Sequence, residues 1–238
     1  MSKRAVVLAG GKGSRLRPYT VVLPKPLMPV GEYPILEVIL RQLSAQKFDH
    51  VTLAVNHQAE IIRAFCGDGS RWKLRIDYSL ETAPLSTIAP LRLIPDLPED
   101  FVLMNGDVLT DLPIAKIYDE HVAQKRKFTI AASERTHVVD FGVLHADGRQ
   151  LTGFEEKPRF QYLVSMGVYI VNRSVLDHVP EGRSYGFDNL MLDMLAHGQP
   201  IHVERYAGYW LDIGRVDDYM RAVDEFEQQR RHLLPDEK

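Results

Sequence analysis

The stretch Leu8-Ala-Gly-Gly-Lys-Gly-Ser-Arg-Leu-Arg-Pro-Tyr-Thr20, followed by Pro24-Lys25-Pro26-Leu27, decides how the rest of the chain is read. An apolar run, Ala5 to Ala9, empties into Gly10, Gly11 and Gly13, three glycines within four positions. Glycine lets a backbone approach a ligand closely. Backbone N–H groups clustered at the end of a strand form a concavity that attracts anions. Lys12, Arg15 and Arg17 add fixed positive charge, and Lys25 adds a further cation between two prolines. Two familiar glycine loops do not fit. The Walker pattern needs a Lys-Ser/Thr pair, and the lysine here precedes Gly13; the dinucleotide fingerprint needs a third glycine where Leu16 stands. What remains is a strand-to-loop phosphate cradle, or, as the plainer alternative, a glycine-rich turn with surface cations.

Outward from the loop, short apolar runs recur at 4–9, 51–55, 74–79, 101–105 and 128–132. Between them lie segments of helical spacing: Leu36, Ile39, Leu40 and Leu43 after Pro34, then Ile61, Ile62 and Phe65. Alternation of strand and helix predicts an α/β chain with a mainly parallel sheet flanked by helices, whose ligands bind beyond the carboxyl ends of the strands. After about Thr129 the pattern changes. Val138–His145 and Leu151–Phe154 flank Asp147-Gly148, a hairpin signal. A strand is expected at Leu163–Val171. A helix carrying Leu190, Met191, Met194 and Leu195 stops at Gly198, and a last helix carries Val216, Tyr219, Met220, Val223 and Phe226 before a charged tail expected to fray.

The 238 residues are enough for one large domain, and no linker or repeat divides them. A net charge of −3 gives no sign of a nucleic-acid partner. Cys66 is the sole cysteine, which rules out an internal disulfide and suits a reducing compartment. The apolar run after Lys3-Arg4 is too short for a signal segment, and no run approaches the ~20 residues of a membrane span. The expectation is a cytoplasmic protein with no membrane partner, a monomer or homodimer.

The pattern Gly-Gly-x-Gly-x-Arg-Leu-x-Pro-x-Thr followed by Pro-Lys-Pro-Leu resembles the sugar-1-phosphate nucleotidyltransferases, a family that includes mannose-1-phosphate guanylyltransferases and glucose-1-phosphate thymidylyltransferases. The resemblance runs to about residue 226. It leaves no room for the C-terminal helices or β-helix of longer members. It implies a Rossmann-like single nucleotidyltransferase domain, with a nucleotide-binding half over about 1–127 and a sugar-phosphate-binding half over about 128–230. It further implies that Leu8, Ala9, Gly10, Gly11, Gly13 and Ser14 lie along the nucleotide. Arg15 would hold the β,γ-phosphates and Lys25 the α-phosphate, the two catalytic assignments. The substrates implied are an NTP and a sugar 1-phosphate.

Asp107 ends the apolar run Phe101-Val-Leu-Met-Asn-Gly-Asp. Read alone, it is either a turn aspartate or a ligand at a strand's carboxyl end. The resemblance implies a ligand for Mg²⁺, with Asp212 of Trp210-Leu-Asp-Ile-Gly214 as the second; the alternative for Asp212 is an aspartate at a helix N-terminus. Glu156 and Lys157 of Phe154-Glu-Glu-Lys-Pro158 match the family's sugar and sugar-phosphate ligands; otherwise they are an exposed charge cluster. Gly142 and Gly167 match glycines against which the sugar lies, and either is also compatible with a β-bulge. A phosphate monoester is largely dianionic at neutral pH. The nucleophile therefore needs charge neutralisation and alignment more than a general base.

The chain departs from the family in the segment after Glu81. Ser86 and Ala89 stand where relatives have glycines against the base and ribose, and Val216 replaces a common proline. Glu81 matches the residue that reads the base edge. A carboxylate only accepts hydrogen bonds, and guanine's paired N–H donors suit it, which favours GTP modestly. The alternative function is a catalytically silent homologue that binds sugar nucleotides and regulates a partner.

Overall fold

The apolar run that feeds the glycine loop becomes a central strand. In the computed structural model, which describes residues 2–81 and 83–235, Arg4–Leu8 is strand β1, and Ala5, Val6 and Val7 are fully buried. The glycine loop leads through three short 3-10 turns, the last of them Lys25–Leu27. A small ribbon follows, β2 (Pro29–Val30) with β3 (Tyr33–Pro34). Helix α1 (Ile35–Ala45) starts directly after Pro34, and Leu36, Ile39, Leu40 and Leu43 are buried as their spacing predicts. Then come β4 (His50–Val55), α2 (Ala59–Cys66), β5 (Arg75–Leu80), β6 (Asp100–Asn105), β7 (Val108–Thr110) and α3 (Ile114–Ala123). The second half contributes β8 (Phe128–Val138), β9 (Gly142–Asp147), β10 (Gln150–Glu156), β11 (Arg159–Asn172), α4 (Phe187–Ala196), β12 (Ile201–Arg205), β13 (Trp210–Asp212) and α5 (Val216–Leu233).

One seven-stranded sheet runs in the order β12-β8-β11-β6-β1-β4-β5. Every pairing is parallel except those of β11, which is antiparallel to both β6 and β8. Successive residues of a strand face opposite sides. Thus Ala5 and Val7 join an apolar cluster with α1, α2, α3 and α5, while Val6 joins another with α4. The expected mixed, mainly parallel sheet with helices on both faces is therefore present. Among the described residues no helix is long and apolar enough to cross a membrane.

Several boundaries differ from expectation. Val138–His145 is not one strand: β8 ends at Val138 and β9 begins at Gly142. β8 and β11 run well past the apolar segments that mark them, because their outer halves pair with each other away from the core. Helix faces are narrower than the apolar count suggested, with Ile61, Leu195, Met220 and Val223 exposed. Of the charged tail expected to fray, the part within α5 is held, since Leu233 and Leu234 are fully buried and Arg230 pairs with Glu32; residues 236–238 lie outside the described residues. Helix α3 and strand β12 are not anticipated by the sequence reading.

Candidate functional site

Strands β1, β4, β5 and β6 end at Leu8, Val55, Leu80 and Asn105, all on the same edge of the sheet. Beyond that edge lies a cleft of about 520 Å³, lined by Leu8–Lys12, Lys25, Asn56, Glu81, Ser86 and Asp107 among others. The turn after β6 packs directly on the end of β1. The Gly106 N–H donates to Leu8 O at 2.9 Å, and a Cβ at Gly106 would stand 2.8 Å from that oxygen. A glycine here is what brings Asp107 up against the glycine loop. The loop itself turns at Gly13 (φ 59°), whose carbonyl accepts from the Leu16 N–H at 2.9 Å and from Thr20 Oγ1 at 2.7 Å. Leu16, in the place that breaks the dinucleotide fingerprint, is a buried anchor for this turn.

Lys25 is buried, and its ammonium donates to Asp107 Oδ2. This pairing was not visible in the sequence. The other oxygen, Asp107 Oδ1, is buried and finds no hydrogen-bond partner among the described residues. Antiparallel β7 and β13 set Asp212 opposite Val108, and the Ile213 N–H donates to Asp107 O at 3.0 Å. Asp212 therefore ends a strand beside Asp107. It is not the aspartate that receives a helix N–H: α5 begins later, and Asp218 accepts from the Arg215 N–H at 3.0 Å. The Asp212 carboxyl is pushed above the usual carboxylate range, chiefly by lost hydration and next by the Asp107 charge; Lys25 and Arg15 offset this only in part. Its outer face still opens to solvent. Arg15 is on this side of the site, its guanidinium about 3.7 Å from where a Gly214 Cβ would be.

Two neighbouring carboxylates, with one buried Asp107 oxygen unpartnered among the described residues, fit a divalent cation. Among the described residues no third His, Cys, Asp or Glu joins them. The remaining ligands would then be oxygens of water or substrate, which suits Mg²⁺.

Glu81 and Ser86 stand on the opposite wall. One Glu81 oxygen accepts from the Leu85 N–H, so the side chain closes its own loop. Ser86 has φ 71°, in the left-handed region, which explains why a glycine suits this position in relatives. The loop is strapped to the second half of the chain: Tyr185 N–H donates to Leu85 O at 2.9 Å, and Phe187 N–H donates to Thr87 Oγ1 at 2.8 Å.

The sugar-phosphate candidates are divided. Gly167 (φ 72°) lies at the register shift of β11, where a Cβ would meet Asn105 Nδ2 at 2.6 Å. It is a bulge, and it adjoins the cleft floor. Gly142, Glu156 and Lys157 are exposed on the β9–β10 ribbon and do not line the cleft. Gly142 is no bulge, being in register with Glu156; the ribbon's irregularity falls between Leu151 and Gly153. Ser14 is likewise exposed and outside the lining. Asn56 and Asn105 line the cleft and were missed. Each directly follows or ends an apolar strand run, which was the available signal. Burial pushes the Cys66 thiol up to about 12, so no nucleophile is on offer there.

A family model described as nucleotidyl transferase matches residues 4–229. Among curated relatives, a UTP–glucose-1-phosphate uridylyltransferase from Synechocystis sp. is 32% identical, over 92% of this chain and 62% of its own. A mannose-1-phosphate guanylyltransferase from Mycobacterium tuberculosis is 31% identical, over 92% of this chain and 63% of its own. The chain thus spans a little under two thirds of the length of these relatives. A crystal structure from Bacillus anthracis, provisionally named a glucose-1-phosphate thymidylyltransferase and holding sucrose, shares the fold with a TM-score of 0.75 at 24% identity, covering 94% of each chain.

Proposed function

We propose, from the premise that this chain belongs to the nucleotidyl transferase family, that it joins a nucleoside triphosphate to a sugar 1-phosphate, giving an NDP-sugar and pyrophosphate. The observation that carries the reading is the pairing of Lys25 with Asp107 in the lining of a glycine-rich cleft, with Asp212 set next to Asp107 by the β7–β13 ladder. Cations and carboxylates in that arrangement suit the union of two polyanions. The relatives named above are described as acting on a nucleoside triphosphate or a sugar 1-phosphate of this kind.

In this reading the amides of Gly10, Gly11 and Gly13 hold the triphosphate, with Arg15 on the leaving β,γ-phosphates. Lys25 stabilises charge on the α-phosphate as the sugar-phosphate oxygen attacks in line. Asp107 and Asp212 would hold the proposed Mg²⁺, which would supply charge neutralisation for phosphate oxygens. Glu156 and Lys157 are exposed on the β9–β10 arm and do not line the cleft, so their assignment to the sugar and its phosphate rests on the family motif alone. The base is left open. One Glu81 oxygen is already engaged by Leu85, and a bidentate match to guanine needs both.

The test is pyrophosphate release with Mg²⁺, each of five NTPs, and a panel of hexose and heptose 1-phosphates. Release that requires both substrates supports the reading. Binding of NDP-sugars without any release supports the silent, regulatory alternative instead.

A further inference from the structure

We propose that Lys25 is a stand-in cation: it occupies the Asp107 carboxylate in the free protein and keeps a divalent metal out until nucleotide phosphate draws the ammonium away. The inference rests on the reading of Asp107 and Asp212 as the metal pair. Its consequence is that metal and nucleotide bind as coupled partners, with Lys25 as the coupling element.

The argument begins with charge. Asp107 and Asp212 bring two negative charges side by side, and the Lys25 ammonium, bonded to Asp107 Oδ2, cancels one of them. A divalent cation arriving at the pair meets that ammonium within contact distance of its own ligand, so it must displace the ammonium or bind beside a like charge. Both lower metal affinity. The geometry makes Lys25 movable only at its side chain. Its backbone is set by Pro24 and Pro26, by the Leu27 N–H donating to Pro24 O at 2.8 Å, and by the Met28 N–H donating to Lys25 O at 3.1 Å. A Cβ at Gly13 would lie 3.2 Å from the Lys25 Cβ, so the stem rises directly beside the glycine loop. Phosphate held by that loop offers the ammonium a second anionic partner reached by χ rotation alone. Meanwhile Asp107 Oδ1, buried and unpartnered among the described residues, keeps one ligand ready. Linkage makes the effect reciprocal: whatever factor nucleotide adds to metal affinity, metal adds to nucleotide affinity.

The experiment measures Mn²⁺ binding by EPR on the full chain, with and without the α,β-methylene analogues of GTP and UTP. Wild type is expected to bind free Mn²⁺ weakly. Lys25→Met should bind it at least tenfold more tightly, and Lys25→Arg, which keeps the charge, should not. The analogue should raise Mn²⁺ affinity in wild type by a factor about tenfold larger than in Lys25→Met. Lys25→Met binding Mn²⁺ no better than wild type, or equal coupling factors in the two proteins, overturns the proposal. Should Lys25→Met misfold, wild type labelled at lysine ¹⁵Nζ decides: the Lys25 ammonium signal should shift with Mg²⁺ plus analogue and stay in place with millimolar Mg²⁺ alone. Displacement by Mg²⁺ alone overturns the proposal. None of these measurements needs turnover. Absent pyrophosphate release beside a tighter-binding Lys25→Met would sink the proposed reaction and leave the stand-in role standing.

Discussion

Lys25 enters the cleft from a backbone that two prolines hold, and its partner is a carboxylate rather than solvent. Lys25→Ala is expected to lower kcat by about 10²–10³, the usual loss for one preorganised transition-state donor, while circular dichroism shows the fold retained. Asp107→Asn and Asp212→Asn should each remove Mg²⁺-dependent release, and the double variant should be barely worse than either, because groups that share one ion act as a unit. Asp212 carries a second expectation with the opposite sign for stability. Its folded pKa lies above the unfolded value of 3.8, so the folded state binds the proton more tightly. Stability then falls as pH rises from 3.8 through the folded pKa, and the deficit is fully present at neutral pH. Asp212→Asn should therefore raise Tm at pH 7 and lose that advantage as pH drops toward 4. A lower Tm for the variant at pH 7 would contradict the sign. Ser86→Gly removes a left-handed serine costing about 1–2 kcal/mol and adds glycine's entropy of about 0.5–1 kcal/mol. Urea unfolding should show little net change, while kcat/KM ratios among the NTPs shift by about 1–3 kcal/mol as a wall residue is lost. At this scale the glycine loop stands out in the sequence by itself, and Lys25, Asp107 and Asp212 are picked out as candidates by motifs that resemble the family's. The Lys25–Asp107 pair and the Glu81–Leu85 closure were not legible, since one joins positions 82 apart and the other hides inside an irregular loop.

Among the elements, those with a strong period and a local stop were readable: α1 behind Pro34, β1 and β6 as apolar runs that end in glycine-bearing turns. The outer halves of β8 and β11 were not. Away from the core both faces are largely open, and the outer half of β8, Ser133–Val138, is mostly polar, so no apolar side marks it as a strand. The end of α5 was misjudged for a related reason: its composition is charged, and one turn with two buried leucines decides its fate. Leu233→Ala is expected to cost about 2–5 kcal/mol, as for a fully buried leucine; chemical denaturation would show it. A loss below 0.5 kcal/mol would mean the helix end is loose in solution.

For the whole molecule, the proposed nucleotide and sugar-phosphate halves are not separate folding units. β11, from the second half, fills the place next to β6 and pairs with it over Val168–Asn172. A fragment of residues 1–127 is left with β6 as a bare, apolar edge and should aggregate, as size-exclusion chromatography would reveal. The mainly parallel sheet was legible because βα alternation restricts topology so strongly; the lone reversed strand was not, because nothing in the apolar run of Leu163–Val171 records its direction. The packing of α5 carries a further consequence, for the chain in time. Tyr219 Oη donates to Pro29 O at 2.8 Å across 190 residues, and Phe226 lies where a Cβ at Gly31 would strike its ring at 2.6 Å. The segment just downstream of Lys25 is thus clamped by residues made some 190 positions later. At about 5–20 residues per second of synthesis, a nascent chain waits on the order of ten seconds or more between emitting the lysine and receiving its clamp. A growing polypeptide therefore lacks this clamp on the segment beside Lys25 until α5 emerges and docks.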